Sequence, residues 1–157
     1  MTYLSLPIIK AGIFAGIVMG IFAMAVNMIK LTTLNLTEYM GCMATGKKAG
    51  NESFIAGFSI HIIASALFPP IYLHIMQYFT LPLTLHTGII LGLGHTVIAG
   101  ILLGYMDNYN ICVKKKKIQA MHMFAQGHGN AGVATYLIAH VIYAMAVMYF
   151  LGAPLAY

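Results

Sequence analysis

Residues 53–106 contain no Asp, Glu, Lys or Arg, and this uncharged run is the feature that most restricts the fold. Soluble domains carry about 25% charged residues, and a soluble core does not need so long an uncharged segment. A bilayer explains the run, because a spanning helix needs about 20 mostly apolar residues. The whole chain agrees, since 61% of its 157 residues are hydrophobic and 7% are charged. We therefore predict an integral membrane protein in contact with the lipid bilayer.

The type of span follows from the hydrophobic pattern. Backbone amides in hydrocarbon must be hydrogen-bonded internally, so spans are helices or closed barrels. A barrel strand alternates polar and apolar positions over about 10 residues, whereas residues 8–29 form unbroken apolar blocks. The sequence predicts an all-α polytopic membrane protein, a bundle of four transmembrane helices in a single domain over residues 1–157. The predicted spans are 8–29, 53–79, 83–106 and 131–151.

The connecting segments carry weaker signals. A short interfacial helix is expected near residues 37–44, and residues 118–126 are expected to lie along the membrane surface. Pro69-Pro70 falls in the second half of span two. Because proline has no backbone N–H, this pair is expected to kink or break the helix.

Lysines predict the orientation in the membrane. With four spans, the 31–52 and 107–130 loops share one side and carry Lys47, Lys48 and the run 114–117. The positive-inside rule then places both loops in the cytoplasm and both termini outside. We interpret the lysine run as a topology signal that touches lipid headgroups, and we expect no nucleic-acid partner. Cys42 and Cys112 fall on the same side, where free reduced thiols are expected.

Small residues at a spacing of four mark two helix surfaces. In lipid, helices associate through close backbone approach, so such stripes indicate packing interfaces. The pattern does not distinguish packing within the chain from docking on a partner subunit. The predicted helix-packing residues are Gly12, Gly16 and Gly20 in span one and Gly88, Gly92, Gly100 and Gly104 in span three.

A set of recurring motifs resembles an uncharacterised family of small prokaryotic four-span membrane proteins. The first motif is the glycine-rich segment 11–16, and the second is the loop segment 36–41. Three spans then each carry a histidine followed about ten residues later by a tyrosine: His61 with Tyr72, His95 with Tyr105, and His140 with Tyr149. The resemblance implies a four-helix membrane fold in a prokaryotic inner or plasma membrane, and it implies no activity.

Three intramembrane histidines are the first candidate metal-binding residues. At a helical rise of 1.5 Å per residue, His61, His95 and His140 lie roughly 12–17 Å below the cytoplasmic surface, within one layer. Imidazole nitrogen suits copper, zinc or haem iron, so a copper or haem site is one interpretation. Hydrogen bonding between helices is the simpler one. If the three histidines form one site, their ring nitrogens should converge.

The loops supply weaker candidates. Met121, His122 and Met123 lie together near His128, and thioether with imidazole ligands suits Cu(I). Methionine is also a common apolar filler, which provides a plain alternative. Glu38 is a candidate ligand or proton acceptor, or else an interfacial charge paired with Lys47 or Lys48, or a helix-end cap.

The sequence favours a non-catalytic function. It contains no phosphate-binding loop or nucleophile motif, and its three carboxylates all lie outside the spans. Enzymatic activity is therefore not expected. We predict an accessory or structural subunit of a larger membrane assembly, with other membrane subunits or copies of itself as partners. The alternatives are a metal- or haem-binding membrane protein that uses the histidine layer, and a small oligomeric transporter or channel.

Overall fold

The computed structural model describes residues 5–152, and these residues form helices and loops without a strand. Four helices are long and apolar enough to cross a membrane, so the prediction of an all-α membrane fold is confirmed. The predicted span boundaries differ from the helix ends by at most two residues. The helices are α1 (Leu6–Met28), α2 (Leu36–Thr45), α3 (Asn51–Tyr78), α4 (Leu85–Met106), α5 (Ile111–Lys114) and α6 (Gly129–Phe150), and a 3₁₀ segment covers Met123–His128.

Helix α6 is central in the bundle. It packs against α1 on one side and against α4 on the other, and α1 packs in turn against α3. The short helix α2, which the sequence predicted at nearly the same position, lies on α3. The 3₁₀ segment fits between α4 and α6. Large apolar side chains remain exposed on the outer faces, as at Phe14, Leu67 and Val97, where a bilayer would cover them.

The glycine stripes lie at contacts within this chain. A β-carbon added at Gly16 would lie 2.5 Å from Ser65 Oγ, and one at Gly92 would lie 2.7 Å from the α-carbon of Val141. The stripe on α1 therefore faces α3, and the first half of the stripe on α4 faces α6. Gly100 and Gly104 instead receive the side chains of Phe124 and Met123.

The proline pair does not break the second span. Helix α3 continues through Pro69 and Pro70, so the break, one of the two outcomes expected of the pair, does not occur. Pro69 cannot donate to the carbonyl of Ser65, but Tyr143 of α6 donates its hydroxyl to that oxygen at 2.5 Å. A neighbouring helix thus satisfies the group that the proline leaves free, as is usual for prolines inside membrane spans.

The segment after α5, which was expected to lie along the membrane surface, ends in a turn that packs against α4 and α6. Phe124 and Ala125 have φ values of 55° and 60°, and His122 has a φ of 56°. The left-handed region is uncommon for residues other than glycine, so tertiary contacts must hold this turn. The contacts are those of Phe124 and Met123 with the glycines of α4, which draw the segment into the bundle.

The expectation of free thiols is wrong. Cys42 of α2 and Cys112 of α5 form a disulfide between residues that are 70 positions apart, with their α-carbons 5.9 Å apart. Both cysteines are fully buried. Spacing along the chain did not indicate this pair, because the two short helices meet only after the spans have packed.

Candidate functional site

The core of the bundle contains two histidines in direct contact. The rings of His95 on α4 and His140 on α6 have centroids 4.8 Å apart and planes at 79°. Both side chains are buried, at 8% and 5% exposure. The close approach of α4 and α6 at Gly92 brings the pair together, because the nearest atoms to Gly92 include the carbonyl oxygen of His140.

Each ring of this pair is oriented through its Nδ1 atom. His140 Nδ1 donates to the carbonyl of Tyr136 one turn earlier, at 2.8 Å. His95 Nδ1 shares a 2.6 Å hydrogen bond with the hydroxyl of Tyr72, and Phe68 stacks on the His95 ring with centroids 3.8 Å apart. A histidine held through one ring nitrogen presents the other in a fixed direction, which is the usual arrangement around a metal-binding histidine.

His61 has a separate role in the structure. Its Nε2 donates to the backbone carbonyl of Gly16 on α1 at 3.0 Å, so the ring lies at the α1–α3 contact. Among residues 5–152, no group of three or more His, Cys, Asp or Glu side chains is arranged to hold a metal ion. The structure thus brings His95 and His140 together and assigns His61 to another helix pair.

Tyrosines complete the polar core. In the sequence motif Tyr72 follows His61, whereas in the structure the Tyr72 hydroxyl contacts His95 across the helix interface. Tyr105 is 58% exposed and Tyr149 is 50% exposed, so both lie on outer faces away from the pair. Tyr143 was not selected as a site residue, although its position three residues after His140 on one helix face was the available signal.

The second predicted cluster, in the loop, is dispersed. Met121 is buried against Leu34 and Tyr39, whereas Met123 packs on Gly104. His122 is exposed, and its backbone N–H donates to Asp107 Oδ2 at 2.7 Å. The three side chains therefore face different surroundings.

Asp107 is the organising residue of this loop. Its Oδ1 accepts hydrogen bonds from the hydroxyl of Tyr39 at 2.9 Å and from the backbone N–H of Met121 at 3.1 Å. Burial, reinforced by the Asp107 carboxylate, raises the pKa of Tyr39. Asp107 was not among the candidate residues predicted from the sequence, and it follows directly on the last residue of α4.

Glu38 lines a small cavity together with Met121 and His128 of the loop. Its backbone N–H donates to the side chain of Asn35, which caps the start of α2. Within residues 5–152 its carboxylate forms no ion pair with Lys47 or Lys48, and Lys47 pairs with Glu52 instead. Comparisons of this chain with models of protein families, with curated proteins and with solved structures found no match.

Proposed function

We propose that this protein is a non-catalytic accessory or structural component of a larger membrane assembly. The main support is how its intramembrane polar groups are used. His61 binds the backbone of α1, Tyr72 binds His95 of α4, and Tyr143 binds the backbone of α3. Polar groups used in this way stabilise a bundle in lipid, where no water competes for them.

The outer surface is consistent with this function. Every long helix presents large apolar side chains outward, including Ile21, Ile63, Ile98 and Ile138. In a membrane these side chains contact either lipid or the helices of other subunits. The structure within the membrane is thus built for packing, and its internal glycines are already occupied by contacts within the chain.

Purification from native membrane tests this proposal. The tagged protein would be crosslinked in intact membrane, extracted with a mild detergent, and analysed by mass spectrometry and by size. We expect a defined complex with at least one other membrane protein or with further copies of this chain. A tagged, unrelated four-span protein made at the same level serves as the control. Recovery of the chain at its own mass, with only the proteins that the control also captures, would contradict the proposal.

A second candidate function is metal or haem binding at the His95–His140 pair. The observation that favours it is that both rings are held through Nδ1, with their centroids 4.8 Å apart. Neutral imidazole is a ligand for copper and for haem iron. Two histidines would provide part of a coordination sphere, so a further ligand would have to come from another molecule.

Metal analysis with an optical spectrum distinguishes this candidate from the first. We expect stoichiometric copper, or a haem spectrum, in the wild type and its loss in His95→Ala and in His140→Ala. His61→Ala is the matched control, because the Nε2 of that ring already donates to the backbone carbonyl of Gly16 on α1. Metal or haem that is absent from the wild type, or that all three variants retain, would exclude the His95–His140 site.

We further propose that the ends of the bundle near α2 and α5 face the cytoplasm of a prokaryotic cell, with both termini outside. The lysines at 47, 48 and 114–117 support this orientation. The disulfide between Cys42 and Cys112 is of a kind that persists in oxidising compartments, which favours the opposite side. Charge acts during insertion, before the two loops can meet, and for that reason we give it precedence.

A further inference from the structure

Helices α1 and α3 border an open, wedge-shaped cavity at the lysine-rich end of the bundle. Near Gly12 and Gly16 the helices touch, since β-carbons added there would lie 2.4 and 2.5 Å from atoms of Ser65. One turn later, a β-carbon on Gly20 would lie 3.8 Å from its nearest neighbour, His61 Nε2. The helices therefore diverge beyond Gly16, and the space between them has a volume of about 350 Å³. We call this space the wedge cavity.

The wedge cavity is long, narrow and mostly apolar. It extends along α3 from Ser53 to His61, about 12 Å at the rise of a helix, and Met19, Met24 and Phe54 form apolar parts of its wall. Helix α2 partly covers it, and Gly41 of α2 packs directly on the backbone of Ser53. Its volume lies at the lower end of the range for small-molecule sites, and a mainly apolar wall with few polar groups is typical of them.

A second, more polar cavity adjoins the first at the loops. Its volume is about 170 Å³, and Thr33, Gln119 and His128 are part of its lining. The two cavities share three lining residues, Asn35, Glu38 and Lys48. We call this second space the loop cavity. The apolar space thus lies at the depth of the spans, and the polar space lies at the level of the loops, as the two parts of a lipid do in a bilayer.

The junction of the two cavities carries one charge of each sign. Glu38 and Lys48 line both spaces, and within residues 5–152 neither takes part in an ion pair. The neighbouring lysine, Lys47, is already neutralised by Glu52. A carboxylate and an ammonium group that lie at one junction are complementary to a head group that bears both charges.

We propose that the two cavities form one site for a zwitterionic phospholipid with a single acyl chain. The acyl chain lies in the wedge cavity, the phosphate faces Lys48, and the ammonium group faces Glu38. A volume of about 350 Å³ equals roughly twelve water-sized volumes of about 30 Å³, which is room for a segment of one acyl chain. The ammonium group of Lys48 attracts phosphate, as lysines do near membrane surfaces generally. This site is independent of the proposed accessory function.

Photocrosslinking in liposomes tests the site. The probe is lysophosphatidylethanolamine with a photoreactive group on its acyl chain, and the comparison probes carry the same chain on a free carboxylic acid and on an alcohol. We expect saturable labelling of α1 between residues 19 and 28 by the zwitterionic probe, and weaker labelling by the other two. Gly20→Leu should lower this labelling about tenfold, the effect of about 1.4 kcal/mol, because its side chain fills the wedge cavity.

Gly94→Leu is the matched control, since a side chain at this exposed glycine of α4 meets nothing within 4 Å. Labelling of the Gly94 variant should equal that of the wild type. The double variant Glu38→Gln with Lys48→Gln changes side chains outside the spans and tests the head group without filling the wedge cavity. It should reduce labelling by the zwitterionic probe to the level of labelling by the alcohol probe.

Two results would overturn the proposal. In the first, residues 19–28 are labelled no more strongly than the outer face of α4, and the Gly20→Leu and Gly94→Leu variants are labelled to the same extent. In the second, all three probes label the protein equally, and the double variant does not change that labelling. If the Gly20 variant fails to fold, the double variant and the comparison of the three probes still test the site, because those measurements do not require the Gly20 change.

Discussion

The hydroxyl of Tyr143 donates to the backbone carbonyl of Ser65, 2.5 Å away on another helix. Helical geometry would assign this carbonyl to the N–H of residue 69, but that residue is proline and has no N–H. One phenol therefore fills the gap that a proline creates in the hydrogen bonds of α3. The same phenol joins α3 to the central helix α6, so the proline and the interhelical contact depend on each other.

This dependence can be measured with a double-mutant cycle. Tyr143→Phe removes the donor and should lower the free energy of unfolding by about 1 kcal/mol, the usual value for one such bond. In a Pro69→Ala background the new N–H can bond to Ser65, so the same change should cost much less. Tyr149→Phe, on an outward-facing tyrosine, is the control. Equal losses in the two backgrounds would show that the phenol does not compensate for the proline.

The glycine contacts predict large and local effects of substitution. Gly16→Leu and Gly92→Leu should each destabilise the bundle by about 1–3 kcal/mol or more, since their side chains would collide with Ser65 and Val141. Gly94→Leu controls for the change in helix propensity, because it adds the same side chain in open space. The measurement is thermal unfolding in one detergent. Three equal melting temperatures would mean that the two glycines do not lie at tight contacts.

Asp107 should control the order of the loop that follows α4. Asp107→Ala removes the acceptor for Tyr39 and for the backbone of Met121 and His122. Residues 118–128 should then exchange amide hydrogens faster, while the interior of α6 keeps its protection. Tyr39→Phe removes one of these bonds and should produce a smaller increase. Unchanged exchange in Asp107→Ala would assign the order of this loop to the apolar contacts of Phe124 alone.

Reduction should weaken the folded state substantially. Closing a loop of 70 residues stabilises a protein by about 4 kcal/mol in the chain-entropy model. Dithiothreitol should therefore lower the unfolding midpoint of the wild type, and Cys42→Ala should start from the lower value and show no response. The same midpoint with and without reductant, in a sample whose thiols are shown to be free, would contradict this estimate.

The orientation can be tested through the lysines. Intact cells would be treated with an amine reagent that does not cross membranes, and labelling of residues 114–117 would be measured by mass spectrometry. We expect labelling only after the cells are opened, because these exposed lysines are proposed to face the cytoplasm. Labelling in intact cells would reverse the orientation and would agree with a stable disulfide on that side.

The spans could be predicted from the sequence because hydrocarbon imposes one strong requirement. The uncharged run at 53–106 and the apolar block at 8–29 predicted helix ends within two residues of those observed. Glycine spacing also indicated the surfaces that pack. These features depend on the local sequence of each helix, and they can be identified without knowing which helices pack together.

The polar core could not be predicted, because it depends on how each helix is rotated. His61 and His95 were placed at similar depths, yet one ring faces α1 and the other faces α6. The contact of Tyr72 with His95 depends on the same rotations. The disulfide depends on the docking of α2 and α5, and the compensation at Pro69 depends on a side chain 74 positions away by residue number (143 − 69).

The disulfide between Cys42 and Cys112 also bears on biosynthesis. The two cysteines flank α3 and α4, so the bond encloses a hairpin of two complete spans. They can meet only after both spans have been inserted and both flanking loops have arrived on one side of the membrane. A chain with either span left out would keep its cysteines on opposite faces, unable to react. The linked and open forms differ in mobility on a non-reducing gel, so each newly made molecule carries a covalent record of whether its central hairpin was inserted correctly.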